Sequence, residues 1–396
     1  MSSLNIAAIR LAGFSWQATR SARPSWVSQR LAVPRRVPPF VCPLRASSSR
    51  ASTIMPLDTP RVTDDLDSLN EFFSQKILPA FPDGVQCSFA YGSGAFQQQG
   101  TEHMSKNMLD FIFVVDDPVA WHTENLQINR RHYSALKFLG TRAITHIQQQ
   151  YGAGIYFNTL VMLGARLIKY GVVSTERLIT DLLDWETLYM SGRLHKPVLT
   201  LKQPTNPELI VALDNNLHSA VHAALLQLPD TFTEEELYMS IANLSYSGDF
   251  RMSIGEDRNK VSNIVVPNIP KFRSMYSKIL ESEEHVFYNP VRQTYEQYPN
   301  HISQYHHLNL LPKTVHINLV SLCNHNRAIP DTEDVLRNLA NDPHCGTYVA
   351  KCISDIVKRS SYSQSIKTIL TAGFLKSVKY SSKKLLKMMR SVKNKN

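Results

Sequence analysis

Apolar positions divide this chain into a mixed first half and a mostly helical second half. In residues 66–80, Leu66, Leu69, Phe73 and Ile77 recur at helical spacing and predict a helix. Residues 85–90 form a short apolar strand, residues 109–113 a second one, and Pro118 closes the latter. Residues 121–150 read as one or two helices broken at Gly140. Residues 155–163 and 166–173 read as a pair of strands separated by Gly164. Ser174 is placed to cap a helix over 175–190, with Leu178, Leu182, Trp185 and Tyr189 on one face and Gly192 as its stop. The alternation of strands and helices up to about residue 205 predicts an α+β core with a mixed sheet.

From residue 207 the spacing turns helical, with Leu209, Leu213, Leu217 and Val221 on one stripe. Thr233 and Glu236 form a capping box ahead of Leu237, Ile241 and Leu244. The short run Ile264, Val265, Val266 reads as a strand. Residues 283–335 are rich in His, Asn, Tyr and Pro, and their weak periodicity predicts irregular packing. The expected organisation is a leader over 1–54, an α+β domain over 55–205, a smaller mostly helical domain over 206–335 and a C-terminal region over 336–396. No apolar run reaches the roughly 18 residues that span a bilayer.

The densest chemistry lies between the first two strands. Tyr91, Gly92, Ser93, Gly94 and Ala95 make a sharp glycine turn, and Asp110 stands on the strand that follows. Two readings fit. The turn is an ordinary hairpin connection, or its glycines admit backbone N–H groups and the Ser93 hydroxyl to a phosphate while Asp110 holds a divalent metal. The second is the layout of a nucleotidyltransferase palm.

Charge sharpens the choice of partner. The total of +10 hides eight Arg in the acid-free residues 1–50 and eleven Lys or Arg in the acid-free residues 356–396, which leaves −9 for residues 51–355. An acidic body argues against a nucleic-acid partner, which needs a basic face on the fold itself. The first 50 residues, rich in Arg and Ser, have the make-up of a mitochondrial transit peptide or of a plain basic arm. The five cysteines form no CxxC pair and fit no standard zinc spacing, so free thiols are expected.

Several longer stretches extend the pattern. They are residues 110–134 from Asp110 through Trp121 and His122, residues 151–158 (YGAGIYFN), residues 168–174 (IKYGVVS), residues 192–198 (GRLHKPV) and residues 244–252 (LSYSGDFRM). Together they resemble the mitochondrial phosphatidate cytidylyltransferases, also called translocator assembly and maintenance proteins, from about residue 66 to beyond residue 264. The resemblance implies that CTP and phosphatidic acid give CDP-diacylglycerol and pyrophosphate with Mg²⁺, for phosphatidylglycerol and cardiolipin synthesis. It also implies that the smaller domain is winged-helix-like. The nucleophile, a phosphate monoester with a second pKa near ~6, is already ionised and needs no general base. The site should therefore hold carboxylates for metal and several Lys or Arg, without a catalytic His.

Carried onto this chain, the resemblance makes Gly92 and Ser93 the phosphate cradle and Asp110 the first metal ligand. Positions 108 and 112 are Met and Ile, so a second carboxylate must come from elsewhere. Asp116 and Asp117 are candidates, or simply a turn before Pro118. Lys169 is at a sheet edge or aimed at phosphate, and the resemblance favours phosphate. Asn158 reads the base or ribose, or ends a strand. Arg193 and Lys196 follow a helix end, where cations also complement the dipole. Asp249 and Arg251, with Lys260 and Asn263 nearby, bind phosphatidate or form a structural pair, and Asp249 could also reach the metal.

In residues 365–395, Ile366, Leu370, Phe374 and Val378 recur at four-residue intervals, with Lys on the other faces. That is the profile of a helix lying on an anionic membrane surface, or of a solvated basic tail. The expected setting is the matrix side of the mitochondrial inner membrane, peripherally bound. The alternative, from the family's second name, is a non-catalytic factor that maintains the import translocase.

Overall fold

The computed structural model describes residues 70–95, 108–164, 166–253, 259–298, 300–323 and 331–373, which fall in one compact unit. The leader over 1–54 and the tail beyond residue 373 lie outside the described residues. Among the described residues no helix is long and apolar enough to cross a membrane.

The expected α+β core is present. Strands β1 (Val85–Tyr91) and β2 (Leu109–Val115) pair antiparallel. Helices α1 (Pro118–Ile128) and α2 (Thr141–Gln150) follow, separated by 3₁₀ turns and by Gly140 at φ +83°. Strands β3 (Ile155–Leu163) and β4 (Arg166–Ser174) pair antiparallel, and β4 lies parallel to β2. Helix α3 (Thr175–Asp184), the short α4 (Ser191–Leu194) and edge strand β5 (Leu199–Lys202) complete a sheet of order β3-β4-β2-β1-β5.

Alternation along β2 sorts its side chains between two layers. Phe111 and Phe113 pack with Phe73, Phe81, Trp121 and Tyr170 on one face. Ile112 and Val114 pack with Phe89, Ile155, Phe157, Leu178 and Leu209 on the other.

The remaining chain is mostly helical. It runs through α5 (Pro207–Leu225), β6 (Thr231–Thr233), α6 (Glu234–Asn243), α7 (Phe250–Ser253), α8 (Lys260–Val265) and α9 (Ile269–Ser282). The hairpin β7 (Val286–Asn289) and β8 (Thr294–Gln297) then pairs with β6 in a three-stranded sheet of order β6-β8-β7. Helices α10 (His301–Asn309), α11 (Lys313–Cys323), α12 (Thr332–Ala340) and α13 (Cys345–Ala372) follow. Their core gathers Trp185, Val221, Ile241, Phe272, Tyr276, Leu308, Leu319 and Ile353. Cys87, Cys323, Cys345 and Cys352 are free thiols, as expected.

The caps stand where local chemistry places them. Ser174 accepts from Arg177 N at the start of α3, and Thr233 and Glu236 form both bonds of the capping box. Four expectations need correction. The helix over 66–80 is present from residue 70 but loosens to a π turn and then a 3₁₀ turn, because Pro79 has no N–H to continue it. The helix expected to reach residue 190 stops at Asp184, for a reason given below. Residues 264–266 are not a strand, since Val265 ends α8 and is buried in the helical core. Residues 283–335 hold a hairpin and helices. Their periodicity is weak because some core-facing positions are polar, as with buried Ser303 and His307 on α10.

Candidate active site

Tyr91, Asp110 and Lys169 form one row across three neighbouring strands, with Tyr91 opposite Asp110 and Asp110 opposite Lys169. Lys169 Nζ lies 3.5 Å from Asp110 Oδ1, donates to Tyr91 Oη at 3.4 Å, and sits 4.4 Å from the centre of the Phe157 ring. Lys169 is therefore on an inner strand, not at a sheet edge. Gly171 allows this packing, because a Cβ there would meet Ile155 and Phe157 side chains at 2.6 and 2.7 Å.

The turn after β1 is a single 3₁₀ turn over Gly92–Gly94. Gly92 has φ +77°, and a Cβ there would stand 3.5 Å from Asp110 Oδ2. Gly94 lies against the start of β2, so that a Cβ would meet Met108 O at 2.6 Å. The turn thus brings Gly92 beside the carboxylate, with Ser93 next in the chain. Among the described residues, buried Asp110 Oδ1 makes no hydrogen bond. A carboxylate oxygen left so is suited to a cation.

The opposite wall comes from the segment between α3 and β5. The Arg193 guanidinium lies 3.9 Å from the Tyr91 ring centre and 5.9 Å from that of Tyr189. Its Nε makes no hydrogen bond among the described residues. Lys196 is buried and donates to Gly192 O and, at 2.6 Å, to Ser245 Oγ. Burial, and then the charge of Arg193, hold its pKa well below the usual lysine value.

Asp181 shapes this segment. Its Oδ1 accepts from Thr187 N, Thr187 Oγ1 and Leu188 N, and its Oδ2 from Met190 N, Ser191 N and Ser191 Oγ, all within 3.2 Å. Trp185 and Leu188 are held at φ +51° and +52°. That folded-back path is why α3 ends at Asp184, and it delivers Tyr189 and Arg193 to the site. Gly192 is inside α4 rather than a helix stop, and a Cβ there would run into Ser245.

The helical half contributes the loop before α7. Arg251 donates from Nε and Nη2 to the buried Asp249 carboxylate at 2.5 to 3.1 Å. Gly248, at φ +81°, presses against Ser354 of α13, and Phe250 stacks on Tyr362 of the same helix at 4.3 Å. Tyr189 joins the two halves. Burial raises its pKa, but Arg251, Arg193 and Lys169 outweigh that and bring it below the usual tyrosine value. Tyr91 shows the opposite balance: burial pushes it up to about 12, against the pull of Lys169 and with the help of Asp110. A cavity of about 40 Å³ is lined by Tyr189, Arg193, Lys196, Tyr246, Asp249 and Arg251, among others. A larger cavity of about 370 Å³ beside Leu322, Leu339 and Tyr348 has Asp342 in its wall and no Lys or Arg, so it does not suit a phosphate.

The structure therefore gathers Gly92, Ser93, Asp110 and Lys169, and on the helical side Asp249 and Arg251. Lys260 opens α8, half-buried. Two expected residues fall elsewhere. Asp116, just past the end of β2, lies six residues from Asp110, about 20 Å at the rise of a strand, too far for the two to hold one ion. It accepts from Thr175 Oγ1 at 2.6 Å, while Asp117 caps α1 through Val119 N and Ala120 N. Asn158 follows Phe157 in β3 and so points to the sheet face opposite Lys169. There it is buried beside the Tyr133 and Tyr170 hydroxyls. Sequence reasoning misses Tyr91, Tyr189 and Asp181 as parts of the site and gives Arg193 too little weight. Only the clustering of Tyr189 and Arg193 just after a helix hints at them.

A glycine turn, a lone carboxylate in register with a lysine on a mixed sheet, and arginines facing them define a nucleotidyltransferase-type site for joining phosphates. The family described as "Phosphatidate cytidylyltransferase, mitochondrial" matches residues 74–387, and the chain belongs to that family. Proteins of that name from Danio rerio and Xenopus laevis are 52% and 51% identical to it. The matches cover 82% and 81% of this chain and 96% of each relative. The Mus musculus protein of that name is 48% identical, over 80% of this chain and 94% of its own length.

Proposed function

We propose that this enzyme transfers CMP from CTP to phosphatidic acid, giving CDP-diacylglycerol and pyrophosphate. The observation that carries the reading is the convergence of Lys169, Arg193 and Arg251 on Tyr189, beside Asp110 and the Gly92 turn. An oxygen of the lipid phosphate forms a bond to the α-phosphorus of CTP, and the bond from that phosphorus to the pyrophosphate oxygen breaks. The barrier is repulsion between two anions. Fixed cations that face both lower it without a general base.

In this scheme Gly92 and Ser93 cradle the triphosphate, and Lys169 and Arg193 neutralise the charge between the reacting groups. Arg251, aligned by Asp249, receives the lipid phosphate, and Lys260 extends that side. Mg²⁺ would be held by Asp110 and the CTP phosphates, where it supplies charge neutralisation and alignment. Asp249 is not assigned to the metal, because Arg251 occupies both of its oxygens.

The setting we infer is an anionic membrane surface, the matrix side of the mitochondrial inner membrane. Relatives are named mitochondrial. The Arg-rich, acid-free residues 1–54 support a transit peptide. Support for the surface comes from α13, where Tyr362, Ile366, Ile369 and Leu370 are exposed. Exposed Phe138 and Leu139 lie on the segment whose Ser134 donates to Leu370 O at 3.3 Å. Arg130 and Lys137 flank the Phe138 ring. No acid occurs between Glu124 and Glu176 or after Asp355, so both stretches suit anionic lipid.

The test is purified protein with labelled CTP and phosphatidic acid vesicles, with and without Mg²⁺. Labelled CDP-diacylglycerol should form with Mg²⁺ and CTP, and far less product with ATP. No lipid product, or equal turnover with ATP, refutes the reading.

A further inference from the structure

In the helical half, four metal-ligating side chains converge that the transfer reaction does not use. His222 is on α5, Glu283 caps the end of α9, and His306 and His307 are on α10. One ligand atom from each lies within 4.8 Å of all the others. His222 Nδ1 is 3.1 Å from His307 Nδ1 and 3.6 Å from Glu283 Oε2, and His306 Nε2 is 3.5 Å from Glu283 Oε1. A tetrahedral zinc with bonds of about 2.0–2.2 Å sets its ligand atoms about 3.3–3.5 Å apart. The three distances, two of them to different oxygens of Glu283, lie close to that value, and the other pairs stay within 4.8 Å.

The surroundings ask for a cation. The Glu283 carboxylate is 6% exposed, and its ion pairs among the described residues are with these histidines alone. Both are longer than a good hydrogen bond. His307 is 3% exposed and among the described residues its Nε2 makes no hydrogen bond, so its described polar contact is through Nδ1, into the cluster. A nearly buried carboxylate whose described ion-pair partners are imidazoles is costly without a further positive charge. Three nitrogens and one oxygen select a zinc-class divalent ion over Mg²⁺.

We infer that His222, His306, His307 and Glu283 bind a zinc-class divalent cation as a structural clamp joining α5, α9 and α10. The clamp has a route to the active site. Six residues before His222 on the same helix, Asn216 accepts from Trp185 Nε1, meets His195 Nε2 and donates to Ser191 O. Those contacts hold the segment that carries Arg193.

The test uses the full chain. Metal analysis after dialysis against Zn²⁺ should find about one zinc per chain, and Co²⁺ substitution should give the intense visible bands of a tetrahedral N/O site. Added Zn²⁺ should raise Tm by several degrees, and chelation should reverse it. Zinc content should fall roughly tenfold or more in His222→Gln and in the half-exposed His306→Gln, whose fold is checked by circular dichroism. Asp110→Asn should keep its zinc. Wild-type protein with no bound zinc and an unmoved Tm overturns the inference, leaving a His222–His307 hydrogen bond only. So does full zinc retention by both variants. These readouts on the wild-type chain stand even if a variant fails to fold.

Discussion

Asp181→Asn separates the scaffold of the site from its chemistry. Each carboxylate oxygen of Asp181 accepts from two backbone N–H groups and one hydroxyl, six donors in all. An amide keeps one oxygen and turns an NH₂ toward the other three donors. A hydroxyl can rotate to accept, but two backbone N–H groups cannot. Each buried donor left unsatisfied costs about 1–3 kcal/mol, so the change should cost roughly 2–6 kcal/mol. Leu188, at positive φ, is one of the donors that hold this strained path, and its conformation is then less well held. At about 2–4 °C per kcal/mol for large domains, Tm should fall by roughly 4–24 °C. Differential scanning calorimetry gives the Tm, and the vesicle assay at a temperature where the variant is folded gives kcat. Turnover should also drop, because Ser191, bound to Asp181, leads directly into Arg193. A Tm within about 2 °C of wild type would refute the argument that this carboxylate organises residues 185–193.

Asp110→Asn should abolish turnover with Tm unchanged, and Ser93→Ala should cost much less, since the backbone donors of the turn remain; appreciable Asp110→Asn activity in the vesicle assay defeats the metal role. Arg193→Met keeps bulk over Tyr91 but removes the charge, so kcat should fall by about 10²-fold or more, as for loss of one charge-stabilising donor; a change confined to KM would assign Arg193 to ground-state binding instead. Stability should depend on acid through His122 and His195. Burial pushes their pKa values down to about 4 and about 3, below the unfolded value of 6.5, so the unfolded chain binds more protons as pH falls below that value. Their contribution is full above pH 6.5 and is lost toward pH 4, at up to about 2.7 kcal/mol per pH unit for two protons. Urea unfolding between pH 7 and 5 measures this, and a flat profile refutes it.

Features governed by short-range physics can be read from the chain directly. Strand positions, the Ser174 cap, the Thr233–Glu236 box and the Gly92 turn were legible because each depends on a few neighbouring residues. Asp110 and Lys169 were legible as candidates, being charges within apolar strands. Their union was not, since it needs β2 and β4 to be parallel neighbours in one register. The pairing of β3 with β4 sets Asn158 beside Tyr170, on the face opposite Lys169. Arg193 and Tyr189 looked like ordinary residues after a helix, because the chain reversal that delivers them is built by six bonds to one buried carboxylate. His222, Glu283, His306 and His307 lie too far apart in sequence for any ligand spacing to be seen, and only the packing of α5, α9 and α10 brings them within 4.8 Å. Local preference sets which elements form. Which side chains meet is decided by strand order, register and helix packing, because those long-range contacts leave no periodic trace in the chain.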